Sequence, residues 1–361
     1  MVQRVSAHRP TRRRRVAAAV AVLGSFALAG CSSGGSTTVE TSQADIAASK
    51  SAVPTPVLPA TWPLTGVAAD GGATVRAALA VKIENSTAAR PQTGLEQADM
   101  VWEEVVEGGI TRFVAVYQSQ VPEEVGPIRS VRPMDPKIVG PLKGLIAFSG
   151  GQQQYVDMLS AAGLQIFSQD QGADGFYRKK GVAAAPHNVY ATPATFWAAA
   201  DSTHQASPPQ QFAHARTAAQ ATAVVAGTAA TNLALTLSGS SHPQWGWDAA
   251  SSTWLRSEGT TESVSRAGVR MAATNVVVLR VTVQNTSAVD PAGNPVPETV
   301  LEGSGEALVA TGGKTVTATW TKGAELDPVT LTAADGTTIS LAPGNTWVEL
   351  VPIDGGAVAI S

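Results

Sequence analysis

The side chains able to do chemistry collect between Val81 and Tyr190. Arg129 and Arg132 lie in the run Val125-Gly126-Pro127-Ile128-Arg129-Ser130-Val131-Arg132-Pro133-Met134-Asp135, where Gly, Pro and Ser favour a loop. Two guanidinium forks on one loop can grip a carboxylate or a phosphate through paired hydrogen bonds. Farther on come Gly175-Phe176-Tyr177-Arg178 and Pro186-His187-Asn188-Val189-Tyr190, which give His187 the most polar company of the five histidines. The expected ligand-binding set is Arg112, Arg129, Arg132, Arg178 and Asn188. The catalytic candidates are Glu103 and His187, as general acid–base groups. The same residues have an internal use as the alternative. Glu103, Glu107 and Asp135 are carboxylates that can saturate the Arg forks, and His187 can be a hydrogen-bonded structural histidine. Saturated forks need no external anion; unsaturated ones leave spare positive charge inside an acidic protein.

The motifs of common enzyme classes are missing. No GxGxxG or GxxxxGK[ST] accompanies the Gly pairs 108–109 and 312–313, which therefore read as turns. HExxH and SxxK are also absent. Cys31 is the only cysteine, which excludes an internal disulfide, a four-cysteine zinc site and a cysteine redox pair. No metal site is defined by spacing, and no cofactor is expected. The formal charge of −3 conceals an uneven distribution: six of the 25 basic residues, and no acid, fall within residues 1–30, so beyond them 19 basic residues face 28 acidic ones. That balance argues against nucleic acid as a partner.

The elements that must position these residues follow from patterning. Arg4, Arg9 and Arg12 to Arg15 precede the uncharged run Val16–Ala29, and Leu28-Ala29-Gly30-Cys31 then looks like a bacterial lipobox. Residues 1–30 thus read as a lipoprotein signal peptide, with Cys31 as the lipidation site, and residues 31–60 as a flexible tether rich in Ser, Thr, Gly, Ala and Pro. Met100–Glu107 and Thr111–Gln118 flank Gly108-Gly109 as a hairpin, which puts Glu103 and Glu107 on one face and Glu104 on the other. Short strands and helices alternate over 61–205, giving a mixed α/β domain. A linker is expected over 206–230. Residues 231–361 carry closely spaced turn signals between strand candidates, indicating a mainly antiparallel β domain. The fold class is α+β. Trp245, Trp247, Trp254, Trp320 and Trp347 are expected to fill the β core and its rim, with a sugar-stacking platform as the alternative.

Several of these runs resemble the YerB-like bacterial lipoproteins: Val81-Lys82-Ile83-Glu84-Asn85, Ala89-Arg90-Pro91-Gln92-Thr93-Gly94-Leu95, Glu107-Gly108-Gly109-Ile110-Thr111-Arg112-Phe113, the Arg129–Arg132 loop, Phe176-Tyr177-Arg178 and Pro186-His187-Asn188. The second half is similar at Asn275-Val276-Val277-Val278, Gly312-Gly313-Lys314 and Gly344-Asn345-Thr346-Trp347, and departs at Trp254 and Arg256, where Tyr is more usual. The resemblance implies two tandem domains of uncharacterised function on a lipid-anchored protein at the extracytoplasmic face of the cell membrane. With the Arg loop, it leads to the expectation of a protein that binds an anionic envelope component: a cell-wall glycan, a phosphate polymer or a peptide carboxylate. A hydrolase or transferase acting on such a polymer through Glu103 or His187 is the alternative, and a scaffold for envelope machinery is a third. The membrane, through the lipid anchor, is the one partner implied; no protein partner is.

Overall fold

The computed structural model describes residues 59–69 and 75–361, so the signal segment, Cys31 and nearly all of the 31–60 tether lie outside the described residues. Residues 57–361 form one compact unit. Alternation dictates how its strands use their two faces. In β1 (Leu79–Glu84), Leu79, Val81 and Ile83 join one apolar core, while Ala80 joins the core on the opposite face, followed there by Lys82 and Glu84. β2 (Met100–Val105) and β3 (Thr111–Tyr117) are an antiparallel hairpin in which Glu103 lies opposite Phe113 and Glu104 opposite Arg112. β4 (Leu145–Phe148) and β5 (Gln165–Ser168) continue the sheet in parallel beyond β1.

The second half of the chain enters the same sheet. Strand Thr346–Pro352 lies parallel to β2 on one side and parallel to strand Asn275–Val289 on the other, with Glu349 beside Glu103. Antiparallel strands Gly303–Thr311, Lys314–Lys322 and Thr330–Thr332 follow outward. Among the described residues this gives one mixed sheet of 12 strands shared by both halves. Thr346–Pro352 is buried along its whole length, as an inner strand between parallel neighbours must be. The architecture is α+β, with a β-rich second half, and the two halves meet through these parallel pairings.

A second sheet covers one face of the first. Five of its six strands run in the order Thr261–Glu262, Thr253–Glu258, Pro243–Asp248, Asn232–Thr236 and Ala357–Ile360, and the sixth, Ala272–Ala273, also pairs with Thr253–Glu258. Trp245 and Trp254 point inward at 0% exposure, and Trp245 meets Trp347 edge-on with ring centroids 5.1 Å apart. Trp320 and Trp347 are also buried, so these four indoles fill cores and leave no open stacking platform. The other face is covered by α1 (Asp135–Val139) and by α2 (Gln153–Ala161), which buries Tyr155, Val156 and Leu159. Residues 206–230, expected as a linker, lie along the body instead. Phe212 stacks on Trp102 at 6.3 Å, Ala221 and Ala223 are buried, and Thr228–Ala229 pairs with Lys314–Thr315. Composition hid this because small Ala side chains pack closely without an obvious apolar period.

Because one sheet carries strands from both halves, the halves should unfold together. We expect a single transition on heating, coincident in far-ultraviolet and near-ultraviolet circular dichroism. Two resolved transitions would mean that the halves are independently stable.

Candidate functional site

Neighbouring residues of β2 point to opposite faces, and each face carries its own buried polar network. On the face covered by α1, the Lys82 ammonium donates to Glu104 and to Asp135 Oδ1 at 2.6 Å, all three side chains being fully buried. Burial, together with the Asp135 charge, pushes the Glu104 carboxyl up to about 7. The Arg loop is stitched to this network. Asp135 Oδ2 accepts the Arg132 backbone N–H at 2.5 Å, and Arg132 grips Glu107 through Nε–Oε1 and Nη2–Oε2 distances of 2.6 Å each. Arg112 donates to the Ser130 carbonyl at 3.1 Å and lies 4.0 Å from Glu107. Burial, with Arg132 and Arg129 close by, lowers its guanidinium to about 10. Arg129 Nε stands 3.3 Å from Glu84 Oε2, and His187 Nδ1 is 2.8 Å from Glu84 Oε1. Gly126 allows the loop to enter here: a Cβ on it would stand 2.7 Å from the Tyr190 ring.

The structure therefore brings Arg112, Arg129, Arg132 and His187 together, but around Glu84 and Glu107, with Asp135 holding the loop. Arg178 and Asn188 sit on an exposed hairpin, where Arg178 Nη1 donates to Asn188 Oδ1 at 2.9 Å. One expectation is corrected. Glu107 does not share a face with Glu103, because β2 ends at Val105 and the left-handed Gly108 turn swings Glu107 to the Arg132 side. Of the two acid–base candidates, His187 lies beside the Arg loop, and Glu103 is 0% exposed on the opposite face.

That opposite face holds the cleft. Arg256, on strand Thr253–Glu258, reaches between the sheets with its guanidinium carbon 5.2 Å from the Phe113 ring and 5.3 Å from the Trp347 ring. Its Nη2 donates to Glu103 Oε2 at 2.6 Å, Nη1 lies 2.7 Å from Glu258 Oε1, and Nε is 4.0 Å from Glu349 Oε1. Burial opposes the charge on Arg256, but Glu103, Glu258 and Glu349 more than offset it and raise its pKa. Burial, with Glu103 alongside, raises the Glu349 carboxyl well above the ordinary value, and Trp245 Nε1 donates to it at 2.8 Å. Burial alone would raise Glu258 too, yet Arg256 and Arg90 hold it below the ordinary value. Asn85 ties the rim to this floor, donating to Glu258 Oε1 at 3.0 Å and Thr111 Oγ1 at 2.8 Å, and accepting from Arg90 Nε at 3.0 Å.

Above the floor is a cavity of about 210 Å³. Asn85, Arg90, Gln92, Arg256 and Glu258 supply its polar lining, and Leu95, Phe113, Val264, Met271 and Trp347 its apolar walls. Among the described residues no group of three or more His, Cys, Asp or Glu is placed to hold a metal ion.

Residues 64–206 match the N-terminal domain, and residues 233–348 the C-terminal domain, of DUF3048, a family of proteins of unknown function. The chain belongs to the DUF3048 family. It is 49% identical over 83 residues to YerB of Bacillus subtilis (strain 168), named there as a lipoprotein by inference; the match covers 23% of this chain and 25% of that protein, a quarter of its length. The crystal structure of the YerB protein from Bacillus subtilis superposes with a TM-score of 0.69 at 24% identity, covering 84% of this chain and all of that one, a likeness of fold.

Sequence reasoning misses Arg256, Glu258 and Glu349 as members of the candidate site. The available signal was a charge in an inward position: Arg256 alternates with Trp254, and Glu349 interrupts the apolar run Trp347–Val351. Removing Arg256 leaves buried carboxylates uncompensated, so Arg256→Met should destabilise by about 3–5 kcal/mol in denaturant unfolding. Glu349→Gln tests the proton. A raised carboxyl pKa adds stability that is fully present below the unfolded value of about 4.3 and is lost as pH rises towards the folded value. Glu349→Gln should therefore flatten the decline in melting temperature from pH 5 upward; an unchanged profile would mean that Glu349 is ionised.

Proposed function

We propose that this DUF3048 protein is a lipid-anchored binding protein of the extracytoplasmic envelope, holding a peptide-like, zwitterionic group of an envelope component in the cleft between its sheets. The observation that carries the reading is the cleft's balanced charge. Arg90 and Arg256 line it together with Glu258 and Glu262, two charges of each sign. A polyanion gains little from such a lining. A group with separate positive and negative ends gains from both. Arg90 Nη1 has no hydrogen-bond partner among the described residues and suits a carboxylate; Glu262 on the rim, with 74% of its side chain exposed, suits an ammonium. Leu95, Val264 and Met271 form a wall for an aliphatic side chain. The volume fits a ligand no larger than a short peptide end.

The anchor rests on Leu28-Ala29-Gly30-Cys31 after its apolar run and on the lipoprotein name of YerB. Among the described residues no helix is long and apolar enough to cross a membrane. Attachment at Cys31 supplies the membrane as a partner without one. An acid–base reading has one observation in its favour: Glu84 orients His187 through Nδ1, and Nε2 has no partner among the described residues.

Titration of the purified protein with separated peptide and glycan fragments of bacterial cell wall, followed by tryptophan fluorescence, tests the cleft. Peptide fragments should bind, and Arg90→Ala should weaken them about ten-fold, the loss expected for one charge-assisted hydrogen bond, while Arg129→Lys leaves them unchanged. Binding of glycan alone, or indifference to Arg90→Ala, would overturn the reading. Turnover of either fragment, lost in His187→Asn, would establish the acid–base reading in its place. Acyl labelling in cells should disappear in Cys31→Ala.

A further inference from the structure

Beside the cleft lies a larger hollow, of about 640 Å³, whose walls are tied together by hydrogen bonds between distant segments. The turn at 62–68 closes through Trp62 N–H to the Val67 carbonyl at 2.8 Å, and its Thr65 carbonyl accepts from Gly344 N–H at 2.9 Å. Asn345 Nδ2 donates to the Ala272 carbonyl at 2.8 Å. Neighbouring residues are divided between the two spaces. Leu95 and Met271 line the cleft, while Glu96, Arg270 and Ala272 line the hollow.

Three charged side chains line the hollow, and two of them are already engaged. Asp99 Oδ2 accepts the backbone N–H groups of Gln118 and Ser119 at 2.5 and 2.7 Å, and Oδ1 accepts from Ser119 Oγ. Arg270 commits Nη1 to the carbonyls of Arg256 and Ser263 and Nη2 to Ser257 Oγ, with Nε 3.8 Å from Glu262. Glu96 is the exception. It is half-buried with Oε2 enclosed, and neither oxygen has a hydrogen-bond or ion-pair partner among the described residues. Glu84, Glu104, Glu107 and Glu349 also have an enclosed oxygen without a hydrogen bond, yet each is held by a hydrogen bond or ion pair at its carboxylate. Leaving such a group without a partner costs about 1–3 kcal/mol, which a ligand can recover. Oε1, which is not enclosed, is the atom a ligand reaches.

We propose that the hollow binds an uncharged sugar ring of an envelope glycan. Its charges exclude the other classes. An anion would meet Glu96 and Asp99. A cation would meet Arg270, and the Trp62 ring that could stack with it already has the Arg76 guanidinium carbon 5.6 Å from its centre. Open surface of two kinds is left. Trp62, Val67 at 41% exposure and Val269 at 48% suit the C–H face of a pyranose. Glu96 Oε1, the Gln120 amide and Trp62 Nε1, none with a partner among the described residues, suit its hydroxyls. The envelope location rests on the proposed lipid anchor; the binding chemistry does not depend on the cleft.

The test titrates tetra-N-acetylchitotetraose, an uncharged oligosaccharide, into the full-length protein in detergent micelles, read by calorimetry and by hydrogen exchange. We expect saturable binding with slowed exchange at residues 62–68, 96–98 and 119–120. Glu96→Gln should weaken it about ten-fold, the loss of one charge-assisted hydrogen bond, and Gln120→Ala, at an exposed position, about five-fold. Glu96→Gln should also keep or raise the melting temperature, because the carboxylate it replaces has no partner to lose; a fall would mean that Glu96 holds the fold and overturn its assignment. The proposal is likewise overturned by an absence of binding at tens of millimolar sugar, by unchanged affinity in both variants, by protection confined to the cleft, or by binding of 1,5-diaminopentane in place of the sugar. A peptide that fails to bind leaves this site standing, and a sugar that fails to bind leaves the cleft standing.

Discussion

One guanidinium holds the two sheets in register. Arg256 reaches from the smaller sheet into the larger, stacks between Phe113 and Trp347, and is met by carboxylates from β2, from its own strand and from the strand beside β2. Taking such a charge out of water costs several kcal/mol, and only close partners on every side recover it. The partners come from three separate strands, so the arrangement exists only when those strands are correctly paired. Apolar packing alone would tolerate sliding of one sheet over the other; a buried ion with fixed hydrogen bonds does not. Glu349 completes the arrangement, its carboxyl raised well above the ordinary value by burial and by Glu103 alongside.

The opposite face repeats the device with Lys82 at its centre, and β2 supplies both networks through adjacent residues, Glu103 and Glu104. The Arg loop is in consequence part of the scaffold. Its forks end on Glu84 and Glu107, and its backbone on Asp135, which leaves the polar groups of the cleft, and not the loop, nearest to an enclosed volume. Like charges are crowded there, and the lowered Arg112 reflects both burial and that crowding.

Much of the fold was legible because it is local. The Gly108-Gly109 turn, the flanking hairpin strands and the turn-rich second half follow from residue types at short spacing. What was not legible is what distant pairing decides. Nothing in Thr346–Pro352 announces that it inserts beside β2, some 250 residues earlier in the chain, because an apolar run reads alike in any buried strand. The same blindness hid the site. Glu103 was recognisable as a charged residue in a strand, but its partner lies 153 residues away and could not be told from Arg112 next door. The loop arginines drew attention because Gly and Pro expose their setting, whereas Arg256 stands among tryptophans and reads as core.

The insertion of Thr346–Pro352 also constrains the order in which the molecule can be made. Until that strand arrives, β2 has an open edge and Glu103 lies next to an unfilled slot, although the rest of the first half has long been synthesised. The amino-terminal half is thus an unfinished sheet for most of the time the polypeptide is emerging. Its closure waits for nearly the whole chain, and a chain truncated before residue 346 would have every residue of its first half and still lack the strand that seals it.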